Sequence, residues 1–294
     1  MGSKQNIAYS IMMAIAQKKP KAKYFFDIFG GGASMSLMAK QFGLKVFYTE
    51  KNAGIVNLLN FLKDNKIPKE WIKWVDRDEF KRCLGKDDPY SVFVTVVWSF
   101  GNNRQAYLFG KEIEELKRLA FEVIVNRSFE CLEKLKQKTG LKLTIPKEPK
   151  LHDRRLNFSK QIKNVNGCTR GIECLINMQC LTQLECCSRL QQLEYLQQLE
   201  YINGLDYTND EVIIYCDPPY RGTAEYTDGG FNHKEFDDWV RKLKYDVFIS
   251  EYNTPFEKIA SFGKMSLLNN SKEKKPLIQE NLYFHKTELK NENN

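Results

Sequence analysis

Apolar and polar positions along the chain switch between two periods. Ile7, Ile11 and Ile15 recur at four-residue steps, which places them on one face of a short helix over 7–16. The apolar run 24–29 is too short for a helix and stops at Gly30, Gly31 and Gly32. Leu37, Met38 and Phe42 then return to helical spacing over 34–42. A second apolar run over 45–49 ends at Glu50, and 55–62 is helical again. Strand, glycine turn, helix, strand, helix is a βαβ unit with one further helix, the opening of a doubly wound α/β sheet.

From about Trp71 to Lys163 that alternation breaks off. Helices are expected at 90–98 and 112–121, with the polar loop 99–110 between them. The α/β pattern resumes with strands at 211–216 and 245–250, a helix at 233–243 and a closing hairpin strand at 282–285, before a polar tail. The expected organisation is a main domain of 1–70 and 164–294 carrying a mainly helical insertion at 71–163.

Between 172 and 205 apolar or near-apolar residues occupy every third position, from Ile172 to Leu205. A helix turns about 100° per residue, so such a stripe drifts about 60° per step and circles the helix. One long surface helix with a single apolar face is excluded. A helix buried all round, broken pieces and a solenoid-like coil all fit.

With 294 residues, 42% hydrophobic and 13% aromatic, the chain can bury a full core. It holds no run of about 18 apolar residues and opens without a secretory apolar segment, so a cytoplasmic protein that spans no membrane is expected. Cys168, Cys174, Cys180 and Cys186 lie six residues apart within the repetitive stretch, and the sequence has no C-x-x-C pair. That placement suits reduced structural thiols, not disulfides or a metal site. The net charge of +8 is local: 134–163 holds ten basic residues against Glu148 and Asp153. Such a patch suits phosphate-backbone binding, and a solvated lysine-rich loop explains the composition equally well.

Ligands of open α/β sheets bind at the carboxyl ends of the strands, and three candidate positions lie there. Around Phe29, Gly30, Gly31, Gly32 and Ala33, small residues let a cofactor approach the backbone, although an ordinary tight βα turn looks the same. Glu50 sits where a carboxylate can accept ribose hydroxyls. Asp217, Pro218, Pro219 and Tyr220 follow a buried strand. The prolines remove two N–H donors and present a carbonyl beside the Asp217 carboxylate, while Tyr220 adds a flat face. Two acceptors and an aromatic platform suit a planar heterocycle bearing an exocyclic amine.

On these motifs the chain resembles the Dam-like class of adenine-specific DNA methyltransferases, in the order glycine turn, recognition domain, D-P-P-Y. Gly2, Ser3 and Lys4 match the family's opening motif, which implies a hold on the methionine end of S-adenosyl-L-methionine (AdoMet). Phe29 to Ala33 match its glycine turn, with Ala33 in place of the last glycine. Glu50 matches its acidic strand end, and Asp206-Tyr207 its pair for the AdoMet adenine ring. Ser250-Glu-Tyr-Asn253 fits a strand end near the target pocket. Glu280 to Phe284 look like part of a protease tag but fit the family's closing strand.

The resemblance implies a Rossmann-like AdoMet-dependent methyltransferase sheet with an inserted DNA-recognition domain. It also implies methyl transfer from AdoMet to N6 of an adenine flipped out of double-stranded DNA. A restriction endonuclease of the same system is a further partner that it allows. Sequence reading is expected from Asn102, Asn103, Arg104 and Gln105, the side-chain types that contact base edges. Lys111, Arg154 and Arg155 are further DNA-binding candidates. Methylation of cytosine N4 or of adenine in RNA uses the same acceptors, and a catalytically silent DNA-binding relative would keep the fold.

Overall fold

The strands are β1 (Tyr24–Asp27), β2 (Lys45–Glu50), β3 (Cys187–Gln192), β4 (Val212–Cys216), β5 (Val247–Glu251), β6 (Glu257–Met265) and β7 (Leu277–His285). They form one mixed sheet in the order β3-β2-β1-β4-β5-β7-β6. The first five are parallel, and β7 runs antiparallel to both β5 and β6. The helices among the described residues are α1 (Ala8–Lys18), α2 (Ser34–Gln41), α3 (Ala53–Asp64), α4 (Arg77–Cys83), α5 (Pro89–Val97), α6 (Lys111–Asn126), α7 (Phe129–Thr139), α8 (Leu151–Gln161), α9 (Leu199–Asn203) and α10 (His233–Arg241).

The computed structural model describes residues 4, 6–65, 67–100, 104–162, 187–192, 195–222, 230–265 and 277–288, with backbone alone at 187–192, 264–265 and 277–278. Two compact units result, one of 57–182 and one of 2–56 with 183–294. The first junction falls inside α3, whereas the pattern of the sequence places the boundaries at 70/71 and 163/164. Among the described residues, no helix is long and apolar enough to cross a membrane.

The sheet belongs to the second unit. Strand order reverses between β1 and β4, because the chain builds outward through β2 and β3 before returning to the other side of β1. A crevice opens at the carboxyl ends of the two strands on either side of such a switch point. Every residue of β4 and of β5 is buried, as expected for parallel strands covered on both faces. One face gathers Phe26, Ile214, Val247 and Ile249 against Ile202 of α9 and Phe236, Trp239 and Val240 of α10. Residues of the other parity, including Asp27, turn to the opposite face, where Ser36 of α2 reaches the Asp27 carboxylate.

The triplet segment resolves into broken pieces where it is described; 172–186 and 193–194 lie outside the described residues. Leu190-Gln-Gln-Leu-Glu-Tyr195 and Leu196-Gln-Gln-Leu-Glu-Tyr201 are identical hexapeptides. The first copy begins in β3, the sheet's edge strand. The second starts in a 3-10 turn at Tyr195–Gln198 and continues into α9. The same local sequence is extended in one place and helical in the next, so tertiary contacts decide between them.

The described residues of the unit of 57–182 are mainly helical. Asp76, Asp88 and Ser128 cap α4, α5 and α7 by accepting the amides of Glu79, Ser91 and Cys131. Its core stacks Trp74 on Phe109 at 5.6 Å and packs Trp98 edge-on against Trp74 at 4.9 Å. The three lysines of α7 are paired locally: Lys134 with Glu130, Lys136 with Glu133 and Lys138 with Glu115, at 2.5–2.9 Å. Exposed pairs of this kind add little stability, but they blunt the positive patch. Lys142, Lys147, Lys150 and Lys160 are exposed and make no ion pair among the described residues.

Candidate active site

The glycine turn after β1 is built around Tyr48. A Cβ on Gly30 would lie 2.1 Å from the Tyr48 ring, so only glycine fits. The Tyr48 hydroxyl donates to the Gly31 carbonyl at 2.7 Å. Gly31 has φ +47 and Ala33 φ +59. In Ala33 the left-handed backbone carries a penalty of about 1 kcal/mol that glycine avoids. A Cβ on Gly32 would meet nothing within 4 Å, so the turn keeps open space on that side.

Glu50 ends β2 and binds the turn. One of its oxygens accepts the Gly31 amide at 2.9 Å, and the other accepts the Asn52 amide at 2.9 Å. Each carboxylate oxygen has a further lone pair, which leaves room for ribose hydroxyls. Beside Glu50, the Thr49 hydroxyl donates to Oε1 of the buried Gln198 at 3.2 Å, while Gln198 Nε2 has no hydrogen-bond partner among the described residues. The Phe29 ring packs with Tyr195 at 5.4 Å and Phe236 at 5.7 Å, so its contribution to the turn is through the backbone.

Asp217-Pro-Pro-Tyr220 leaves the carboxyl end of β4, next to β1 in the sheet. A buried cluster holds it. Lys4 Nζ lies 2.6 Å from Asp217 Oδ1 and 2.7 Å from Glu280 Oε1, and it donates to the Tyr220 hydroxyl. That hydroxyl donates in turn to Glu280 at 2.8 Å. The Lys4 carbonyl accepts the amides of Ile7 and Ala8, fixing it to the start of α1. Burial alone would lower the Lys4 pKa, but Asp217 and Glu280 more than reverse this and hold it above the ordinary lysine value. Burial raises the Asp217 pKa, against the pull of Lys4.

The next residue locks the turn. The Arg221 amide donates to both Glu251 oxygens at 3.1–3.2 Å, and its guanidinium reaches both Asp237 oxygens at 2.7–2.8 Å. Glu251 and Tyr252 belong to the strand-end stretch Ser250-Glu-Tyr-Asn253, and the Tyr252 ring stands edge-on to Tyr220 at 4.5 Å. At the end of β1, Asp27 is buried and accepts the Ser36 hydroxyl at 2.6 Å. Burial pushes its carboxyl up to about 7 despite that bond, with Asp217 and Glu50 adding to the rise.

The sheet thus brings Lys4, Phe29 to Ala33, Glu50 and Asp217 to Tyr220 to one edge. It does not bring Asp206 and Tyr207 there. Tyr207 stacks on Tyr24 at 4.0 Å, and its carbonyl accepts the Tyr245 hydroxyl at 3.3 Å. Tyr24 is the first residue of β1 and pairs with Val212, the first of β4, so this is the amino edge of the parallel strands. Three strand steps of about 3.3 Å each separate it from Asp27, at the opposite edge of the sheet from the glycine turn.

Arg104 is also placed differently from its expected role. Its amide is bonded by Ser99, and its guanidinium donates to Thr95 and to the Lys86 carbonyl, so the side chain is turned inward to brace its own loop. Arg154 likewise donates to the Val125 carbonyl at the end of α6. Lys111 is exposed at the start of α6, and Gln105 and Arg155 also lie among the described residues. Gly2, Ser3, Asn102 and Asn103 lie outside them.

Glu280 is the residue that motif reading passes over. Because β7 runs antiparallel, its amino-terminal half lies at the carboxyl edge of the parallel strands, with Asn281 opposite Glu251. No protein-family model matches this chain, and no curated protein matches it either.

Proposed function

We propose that the chain transfers a methyl group from AdoMet to adenine N6 in DNA, with the flipped base held by Asp217-Pro-Pro-Tyr220. One observation carries the reading: the tetrapeptide sits at the switch point one strand from the glycine turn, with its carboxylate gripped by a buried lysine. The donor set fits AdoMet. Glu50 can accept ribose hydroxyls, Gln198 Nε2 is a buried donor without a partner among the described residues, and the space beside Gly32 admits close approach.

AdoMet supplies an electrophilic methyl on a sulfonium. The chain's own task is orientation. Adenine's amine lone pair is delocalised into the ring, so Asp217 and the Pro218 carbonyl accept the amine hydrogens and free the lone pair to face the methyl carbon. Preorganised acceptors supply most of the rate in such a site. The base must leave the duplex, at a cost of a few kcal/mol. In this reading Lys142, Lys147, Lys150 and Lys160 contact phosphates, which ties binding to salt concentration.

The test is labelled AdoMet with unmethylated genomic DNA, followed by nucleoside analysis, with Asp217→Ala alongside. Label in N6-methyladenine that the variant abolishes supports the reading. Label in N4-methylcytosine moves the substrate, and label in neither base refutes DNA methylation.

A further inference from the structure

The Lys4 ammonium is shared. Were Asp217 its single partner, the pair would be a closed ion pair, and Asp217 would be a weakened acceptor for any substrate amine. Glu280 changes that balance. It sits 2.7 Å from the same ammonium, is 2% exposed, and takes the Tyr220 hydroxyl with the same oxygen. Two carboxylates around one lysine leave the cluster with an excess negative charge, and in a buried site that excess acts strongly on Asp217. The same strand steadies the other wall. Asn281 Nδ2 and the Tyr283 hydroxyl both donate to the Tyr252 carbonyl at 2.9 Å, and the Tyr252 ring closes on Tyr220.

We propose that Glu280 is a positioning residue of the site: by dividing Lys4 with Asp217 and anchoring the Tyr220 hydroxyl, it sets how strongly Asp217 accepts the substrate amine. This rests on the methyl-transfer reading above. Glu280 touches neither the amine nor the methyl group; it acts through Lys4 and Tyr220. Glutamine at this position keeps an acceptor for both partners and removes the charge, so it isolates the electrostatic part. Alanine removes both.

The experiment compares wild-type protein with Glu280→Gln, Glu280→Asp and Glu280→Ala in the labelled-AdoMet assay on DNA. Small displacements of a reacting group cost up to about a hundredfold in rate, and Glu280→Gln is expected to lower kcat by about tenfold to a hundredfold. The KM for AdoMet should stay within about twofold, because glutamine still accepts from Lys4 and keeps it in place, and the glycine turn and Glu50 are untouched. Glu280→Asp, which retains the charge, should recover part of the loss. An unchanged kcat in Glu280→Gln overturns the proposal, and so does an AdoMet KM that rises in step with the loss of kcat. A second measurement needs no turnover. Urea unfolding of Lys4→Met, Glu280→Gln and the double variant should show non-additive effects, and additivity overturns the shared-lysine arrangement. Inactive wild-type protein refutes the methyl-transfer reading and this role with it. Active wild type with an indifferent Glu280→Gln refutes this role alone.

Discussion

Asp27→Asn should gain stability relative to the wild type as pH rises. Asp27 is 1% exposed at the end of β1, and its carboxyl is pushed up to about 7. In the unfolded chain the same group titrates near 4. Between those values the folded state binds more protons than the unfolded state, so the wild type loses stability as pH increases through that window. Above about 7 the full cost of an ionised buried carboxylate is present. Three pH steps at about 1.4 kcal/mol each give about 4 kcal/mol. Asparagine does not titrate and still accepts the Ser36 hydroxyl. Its amide N–H groups add a roughly constant penalty of about 1–3 kcal/mol where they find no partner. The informative quantity is therefore the slope. Urea unfolding of both proteins from pH 5.5 to 8.5 should show the difference shifting by about 2 kcal/mol in favour of asparagine and levelling off above about 7. Parallel stability curves would refute the assignment of a raised carboxyl to this site.

Gly30→Ala places a methyl 2.1 Å from the Tyr48 ring. It should destabilise the protein by about 1–3 kcal/mol through forced repacking, read as a lower denaturant midpoint. An unchanged midpoint would mean the turn is looser than its contacts imply. Arg104→Ala should remove about 2 kcal/mol of stability by deleting charge-assisted bonds to Thr95 and the Lys86 carbonyl. If it altered preference at one base position without loss of stability, the inward placement would be wrong.

The strands whose burial is complete, β4 and β5, are legible in the sequence. The run ending at Cys216 reads as a strand because parallel strands covered on both faces are apolar throughout. β3 is not legible, since triplet spacing matches neither period and its edge position removes the demand for a buried run. Asp206-Tyr207 misleads because spacing before a motif says nothing about which end of a strand a residue occupies; strand order decides that. Glu280 escapes for the converse reason. A rule that looks for ligands after parallel strands overlooks the start of an antiparallel one. Arg104 shows a third limit, because residue type gives the chemistry of a side chain and not the direction in which it points.

The identical hexapeptides at 190–195 and 196–201 leave the sheet edge with two contenders for one place. A shift of six residues is even, so it preserves which side chains face each side of a strand. Within the repeat the shift replaces leucine with leucine and tyrosine with tyrosine, and the repeat itself cannot oppose the exchange. Opposition comes from both flanks: upstream, Leu193, Glu194 and Tyr195 would replace Cys187, Ser188 and Arg189, the first half of β3. After the shift Gly204 would occupy the position of Gln198 and lose the bond to Thr49, and Thr208 would stand where Ile202 is fully buried. The correct pairing is thus enforced from both sides, by the first half of β3 and by Gln198 and Ile202.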